Sequence, residues 1–170
     1  MRVLRLSGGR ALLLAALSVA ALSGCDPQRI EKLEEGVSTE VEVRRQFGEP
    51  ATVTIAADGS KLMEYPRQPE GWTNFVIGIG ADGKMNSLRQ LLTEANFAKV
   101  QPGMGQLEVR ALLGRPAQMK PYPLKTEEVW DWRFKPQNES RLFSVTFDSA
   151  GKVSATGIAD DPRESQGGRN

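Results

Sequence analysis

The chain contains no histidine, and Cys25 is its only cysteine. Without imidazole there is no His-based acid–base catalysis, no Ser-His-Asp or Cys-His nucleophilic centre, and no ordinary zinc ligand set. A lone cysteine also excludes an internal disulfide, so the fold must be held by its own apolar core. No run of like charge is present either. Lys and Arg number 22 against 21 Asp and Glu. Removing Arg2, Arg5 and Arg10 of the N-terminal segment leaves 19 against 21, a net of −2. Such a domain carries no electrostatic footprint for nucleic acid and no polybasic patch for anionic lipid. Carboxylates do cluster, as Glu127, Glu128 and Asp131 near one predicted strand and Asp58 and Glu64 near another. These read as solvated outer-face charges and turn residues, not a glycosidase pair. Asp82-Gly83-Lys84 supplies too few oxygen ligands for a calcium loop. The expectation is a protein that is not an enzyme, with no catalytic residue, metal or cofactor.

What the chain does have is a repeat. Glu42-Val43-Arg44-x-x-x-Gly48-x-Pro50-Ala51 returns as Glu108-Val109-Arg110-x-x-x-Gly114-x-Pro116-Ala117, offset by 66. Met63 and Tyr65 align with Trp130 and Trp132 at offset 67. Phe75, Ile77 and Ile79 align with Phe143, Val145 and Phe147 at offset 68, as does Gly83-Lys84 with Gly151-Lys152. An offset growing by single residues is what small turn insertions produce, so two copies of one small unit are expected.

The first 24 residues read as a secretory signal. A basic start is followed by an apolar run from Ala11 to Leu22, too short to span a bilayer. The run ends in Leu22-Ser23-Gly24-Cys25, which resembles the bacterial lipobox, whose cysteine is acylated and becomes the mature N-terminus. Lipidation at Cys25 would hold the protein on a membrane surface facing the periplasm. An aspartate after the lipidated residue resembles an inner-membrane retention signal, so Asp26 leaves the inner membrane open although the outer membrane is favoured.

Residues 25–35 are then a lipidated N-terminus with a linker or first helix, 36–92 the first repeat, 93–160 the second, and 161–170 a polar, disordered tail. In the first repeat Thr39-x-x-Glu42 is a capping-box signal, and Gly48 with Pro50 ends the helix it opens. Strands are expected over 52–56, 62–65 and 74–80 and from residue 84 or 85, with Asp58-Gly59 and Asp82-Gly83 as turns. The second repeat predicts a first helix within 93–100, a second stopped by Gly114, and strands at 117–119, 128–134, 141–148 and 152–158. Gly105 in place of a capping side chain costs its second helix a good N-cap. Leu88 to Ala95 carries both strand and helix signals. Each repeat is helix, helix, meander, which gives an α+β fold of two tandem units with helices on one face of an antiparallel sheet. Side-by-side copies sharing a continuous sheet would bury more surface than single units, and the length suffices for two small cores or one shared one.

The second copy carries a family resemblance. Thr93-Glu94-Ala95-Asn96-Phe97, Val100-Gln101-Pro102-Gly103-Met104, Leu113-Gly114-x-Pro116, Trp130-Asp131-Trp132 and Phe147-Asp148-Ser149-Ala150-Gly151 resemble the BamE (SmpA/OmlA) family of envelope lipoproteins. The tandem arrangement is similar to the β-lactamase inhibitory protein fold, whose concave sheet grips a partner. The resemblance implies a lipid-anchored binding module, an accessory factor in outer-membrane β-barrel assembly or envelope integrity, with another envelope protein as partner. The rival readings are an inhibitor of a periplasmic hydrolase and a structural envelope lipoprotein. Candidate contact residues are Trp72, on a Pro-, Gly- and Arg-rich loop, with Tyr65, Trp130, Trp132 and Arg133. By period-two alternation Trp130, Trp132 and Phe134 share one side of a strand. They either pack beneath the helices or meet a partner from an exposed face.

Overall fold

The computed structural model describes residues 26–166. The signal segment, Cys25 and residues 167–170 lie outside the described residues. No helix among those described is long and apolar enough to cross a membrane.

Each repeat opens with a short helix and a longer one. In the first these are α1 (Asp26–Ile30) and α2 (Glu40–Phe47), followed by β1 (Thr52–Ile55), β2 (Lys61–Pro66), β3 (Asn74–Ile79) and β4 (Met85–Gln90). The second has α3 (Glu94–Phe97), α4 (Gln106–Leu113), β5 (Gln118–Tyr122), β6 (Glu127–Phe134), β7 (Arg141–Phe147) and β8 (Val153–Asp160). Leu88 to Ala95 therefore resolves as a handover, with β4 ending before α3 begins. Of the two arrangements open to the repeats, one shared core or two small ones, the second is formed. Two separate four-stranded meanders stand, β1-β2-β3-β4 and β5-β6-β7-β8, with every neighbour antiparallel.

The repeat extends to the core, position by position. Val43, Phe47, Met63, Tyr65, Phe75, Ile77, Ile79 and Met85 form the first core. Their offset partners Val109, Leu113, Trp130, Trp132, Phe143, Val145, Phe147 and Val153 are buried in the second, joined by Phe97, Val100 and Phe134. Phe97 of α3 stacks on Phe143 of β7, ring centroids 4.2 Å apart at 12°. Thr39 makes the expected box, its side chain accepting from the Glu42 amide while Glu42 accepts from the Thr39 amide. Gly105 lacks the first half of that exchange; Glu108 still accepts from its amide at 2.7 Å.

One expectation is corrected at the C-terminus. Residues read as a disordered tail continue the fold: Asp161 is 3% exposed, and α5 (Pro162–Gln166) follows it. Polarity misled because Asp161 is polar for the sake of a buried arginine and not for solvent.

Gly48 and Gly114 end α2 and α4 at φ +82° and +72° with ψ near −160°, a region open essentially to glycine alone. A Cβ at Gly48 would meet nothing within 4 Å, whereas at Gly114 it would press on Asn74 and Leu91 at 3.1 and 3.2 Å. Gly48→Ala should cost about 1–3 kcal/mol from backbone strain. Gly114→Ala should cost more, because packing adds to the same strain, and urea denaturation of both variants measures the difference.

Candidate functional site

The candidate residues converge where the two repeats meet. The loop between β2 and β3, which contains a cis Gln68–Pro69 bond, reaches from the first repeat onto β6 of the second. Strand β5 begins at Gln118, opposite Asp131, so beyond that point β6 presents an unpaired edge. Gln68 fills it. Its side-chain NH₂ donates to the Arg133 carbonyl at 2.7 Å, and its side-chain oxygen accepts from the Arg133 amide at 3.2 Å. A primary amide thus copies the exchange that another strand would have made. Asn74, 2% exposed, performs a related task at the end of α4, donating to the Leu113 and Arg115 carbonyls at 2.8 Å each. The carbonyl between them, Gly114, accepts from the Trp132 indole at 3.1 Å. Three carbonyls at a helix end that would otherwise lack donors are satisfied by side chains from two repeats.

Around Arg133 lies a buried polar cluster. Its Nε donates to Asp161 Oδ2 at 2.5 Å, with both side chains less than a tenth exposed. Another guanidinium nitrogen donates to the Pro69 carbonyl at 2.9 Å. Asp161 Oδ2 also accepts from the Ser140 hydroxyl at 2.8 Å, and Ser140 Oγ accepts from the Trp72 indole at 2.7 Å. The Arg133 and Lys135 cations sit 5.4 and 4.6 Å from the Trp72 ring centroid. The C-terminal segment closes the cluster: the Arg163 amide donates to Asp161 Oδ1, and its guanidinium reaches the Pro69 carbonyl at 3.3 Å. Burial by itself would raise the Asp161 pKa. Hydrogen bonds from the Arg163 amide, Arg133 and Ser140, together with the Arg133 charge, hold it below the usual aspartate value.

Of the five candidate contact residues, the structure brings Trp72 and Arg133 together and consigns three to the cores. Tyr65 and Trp132 are 1% and 0% exposed, and Trp130 is 9%. They are corrected from contact surface to core, for a geometric reason. The strand face that holds Trp130, Trp132 and Phe134 is the face that α3 and α4 cover. Arg133 lies on the opposite face, yet the Trp72 loop and Asp161 cover it there. Trp72 is half-buried as an inter-repeat contact, not a free tip. Tyr65 occupies the place of Trp132, but its hydroxyl finds no partner among the described residues, and burial pushes its pKa up to about 12. Sequence reasoning missed Gln68, Asn74, Ser140 and Asp161. No pattern marks such residues, because each serves a backbone group or charge distant in the chain. Asn74 alone gave a hint, as a polar residue opening an otherwise apolar strand.

Architecture of this kind, two tandem helix-helix-meander units in an α+β fold, matches the class expected from the repeats. Residues 90–157, the second unit, match the family model described as the outer membrane protein assembly factor BamE domain, as the motifs of that copy implied. Three solved structures are also similar to the chain. The osmotically inducible lipoprotein OsmE is 23% identical at a TM-score of 0.37, covering 47% of this chain and 93% of its own. A Bacillus subtilis protein of the DUF4309 family, YjgB, is 14% identical at 0.33, covering 79% and 86%. A Streptococcus mutans protein described as a β-lactamase inhibitor is 13% identical at 0.34, covering 79% and 95%. No curated protein matches the chain.

Two outcomes are expected at the clasp. Arg133→Ala leaves a buried, uncompensated Asp161 and should lower stability by about 3–5 kcal/mol. Because the folded Asp161 pKa lies below its unfolded value, its contribution is complete above the unfolded value of about 3.9. It is lost as pH falls through the folded value. Asp161→Asn should therefore be less stable than the parent at pH 7, with the gap narrowing as pH drops below about 4. Urea melts across pH 2.5–7 test this.

Proposed function

We propose that this protein is a lipid-anchored periplasmic binding module that acts as an accessory factor in outer-membrane β-barrel assembly or envelope integrity. The observation that carries the reading is the BamE-domain match over residues 90–157, which takes in all but the end of β8 of a helix-helix-meander unit with its own core. The signal-like N-terminus supports it, since a cysteine after Leu22-Ser23-Gly24 is placed for acylation. Acyl chains buried in a bilayer contribute about 0.8 kcal/mol per methylene, so more than one chain at Cys25 gives a durable anchor. The outer membrane is the proposed location, with Asp26 the residue that could redirect it inward. The work is docking and not catalysis, in keeping with a sequence that has no histidine. The duplication supports a second reading, an inhibitor of a periplasmic hydrolase that grips its target through both units.

Affinity purification of the tagged lipoprotein from solubilised envelopes separates these readings. Barrel-assembly subunits should co-purify, and deletion of the gene should lower barrel-protein levels. One hydrolase recovered in stoichiometric amount would support the inhibitor instead. Normal barrel levels with neither partner recovered would sink the assembly reading. Cys25→Ala should move the protein from the membrane to the soluble fraction, and unchanged sedimentation would refute the anchor.

A further inference from the structure

Four strands lie at sheet edges, and they differ in how they are closed. An open edge offers unpaired backbone donors and acceptors to any extended chain, and proteins usually blunt such edges with proline, charge or a covering segment. Strand β5 carries Lys120 and Pro121. On β4 the backbone of Met85 is engaged by Gly36 and Ser38, and the Leu88 amide donates to the Glu35 carboxylate at 3.1 Å. Strand β1 is uncharged but only four residues long. Strand β8 is eight residues, Val-Ser-Ala-Thr-Gly-Ile-Ala-Asp. Its first residue is met by Gly103 and Met104, as β4 is met by Gly36 and Ser38. Beyond it the likeness ends. Pro102 stands at offset 67 from Glu35, so no carboxylate is available to cover Thr156, the counterpart of Leu88.

The direction of the free groups follows from pairing. The Asp161 amide donates inward to the Ser140 carbonyl. By strand alternation residues 155, 157 and 159 bond β7, while Thr156, Ile158 and Asp160 turn N–H and C=O outward. Among the described residues nothing accepts or donates there. The side chains of Thr156 and Ile158 lie on the core face, opposite Val145 and Phe143. Yet α3, a single turn, does not reach them, and Ile158 is 52% exposed. Between α3 and β8 runs an open groove of about 380 Å³, lined by Phe97, Ala98, Phe143, Thr156, Gly157 and Ile158, with Glu94 beside them. Two residues past Ile158, Asp160 pairs with Arg141 at 3.3 Å and Glu139 lies 3.7 Å from the same guanidinium, while Glu164 lines the same hollow.

We propose that the β8 edge binds an extended segment of a partner protein as an added antiparallel strand. A large apolar side chain of that segment sits in the α3–β8 groove, and a basic residue two positions before it meets the acidic end. Unpaired amides and carbonyls call for a backbone as ligand, and the groove on one face supplies side-chain selection. The carboxylate rim sets direction, because an antiparallel strand brings its N-terminal part to Asp160. The inference rests on the protein being a binding module and is independent of any role in barrel assembly.

The probe is the acetylated, amidated peptide Thr-Lys-Thr-Phe-Thr-Val-Thr, titrated into the detergent-solubilised full-length lipoprotein and followed by amide NMR. Shifts should concentrate at Thr156, Ile158 and the α3 residues. N-methylation of the Lys, Phe and Val amides, which face β8, should weaken binding at least tenfold. Ile158→Pro removes one outward donor at a position where an edge strand accepts proline and should weaken it similarly. Ile158→Lys, which keeps the amide but charges the groove, should do likewise if the proline variant misfolds. Equal binding of the N-methylated peptide would overturn the proposal, as would shifts confined to β1. Self-association that protects Thr156 and Ile158 without peptide would assign the edge to a second copy and also overturn it. Peptide binding with normal barrel levels and no assembly subunit or hydrolase recovered leaves this site standing and rejects the assembly role; recovered assembly subunits with no peptide binding do the reverse.

Discussion

The buried pair of Arg133 and Asp161 is the constraint around which the two repeats are arranged. A guanidinium taken out of water is costly unless its donors are met, and one carboxylate cannot meet them all. Further donation goes to the Pro69 and Glu70 carbonyls, which belong to the other repeat. The carboxylate in turn needs the Ser140 hydroxyl, and that hydroxyl is held by the Trp72 indole. Satisfying one charge therefore obliges a loop from the first unit, a strand end from the second and the C-terminal segment to occupy a single place. Each unit has its own apolar core, so these polar contacts, with those of Gln68 and Asn74, specify how the units sit together.

Much of the fold was legible because duplication samples the same constraints twice. Eight core positions of the first repeat have a buried counterpart at the offset their turns dictate. Residues that differ in chemistry, Met63 against Trp130 or Tyr65 against Trp132, were still aligned correctly by their neighbours. Gly48 and Gly114 were read as helix stops, and both adopt the backbone that only glycine tolerates. The separate sheets were not legible. Whether two meanders join depends on which edges are closed, and β5 is blunted by Lys120 and Pro121 in a way that matters only once its neighbours are known.

The site was less legible than the fold for a related reason. Trp130 and Trp132 carry the composition of a contact surface, but composition does not say which strand face the helices cover. Arg133 reads in the sequence as a contact residue, but the structure buries it against Asp161. That partner lies 28 residues away, in a segment whose polarity suggested solvent. Sequence periodicity reports on residues that share an element; it is silent on groups that meet across elements.

The strap formed by Asp161 to Arg163 also has a mechanical consequence. It holds both repeats at once, Asp161 through the Arg133 guanidinium and Arg163 through the Pro69 carbonyl. Force applied along β8 is therefore shared with the loop of the other unit.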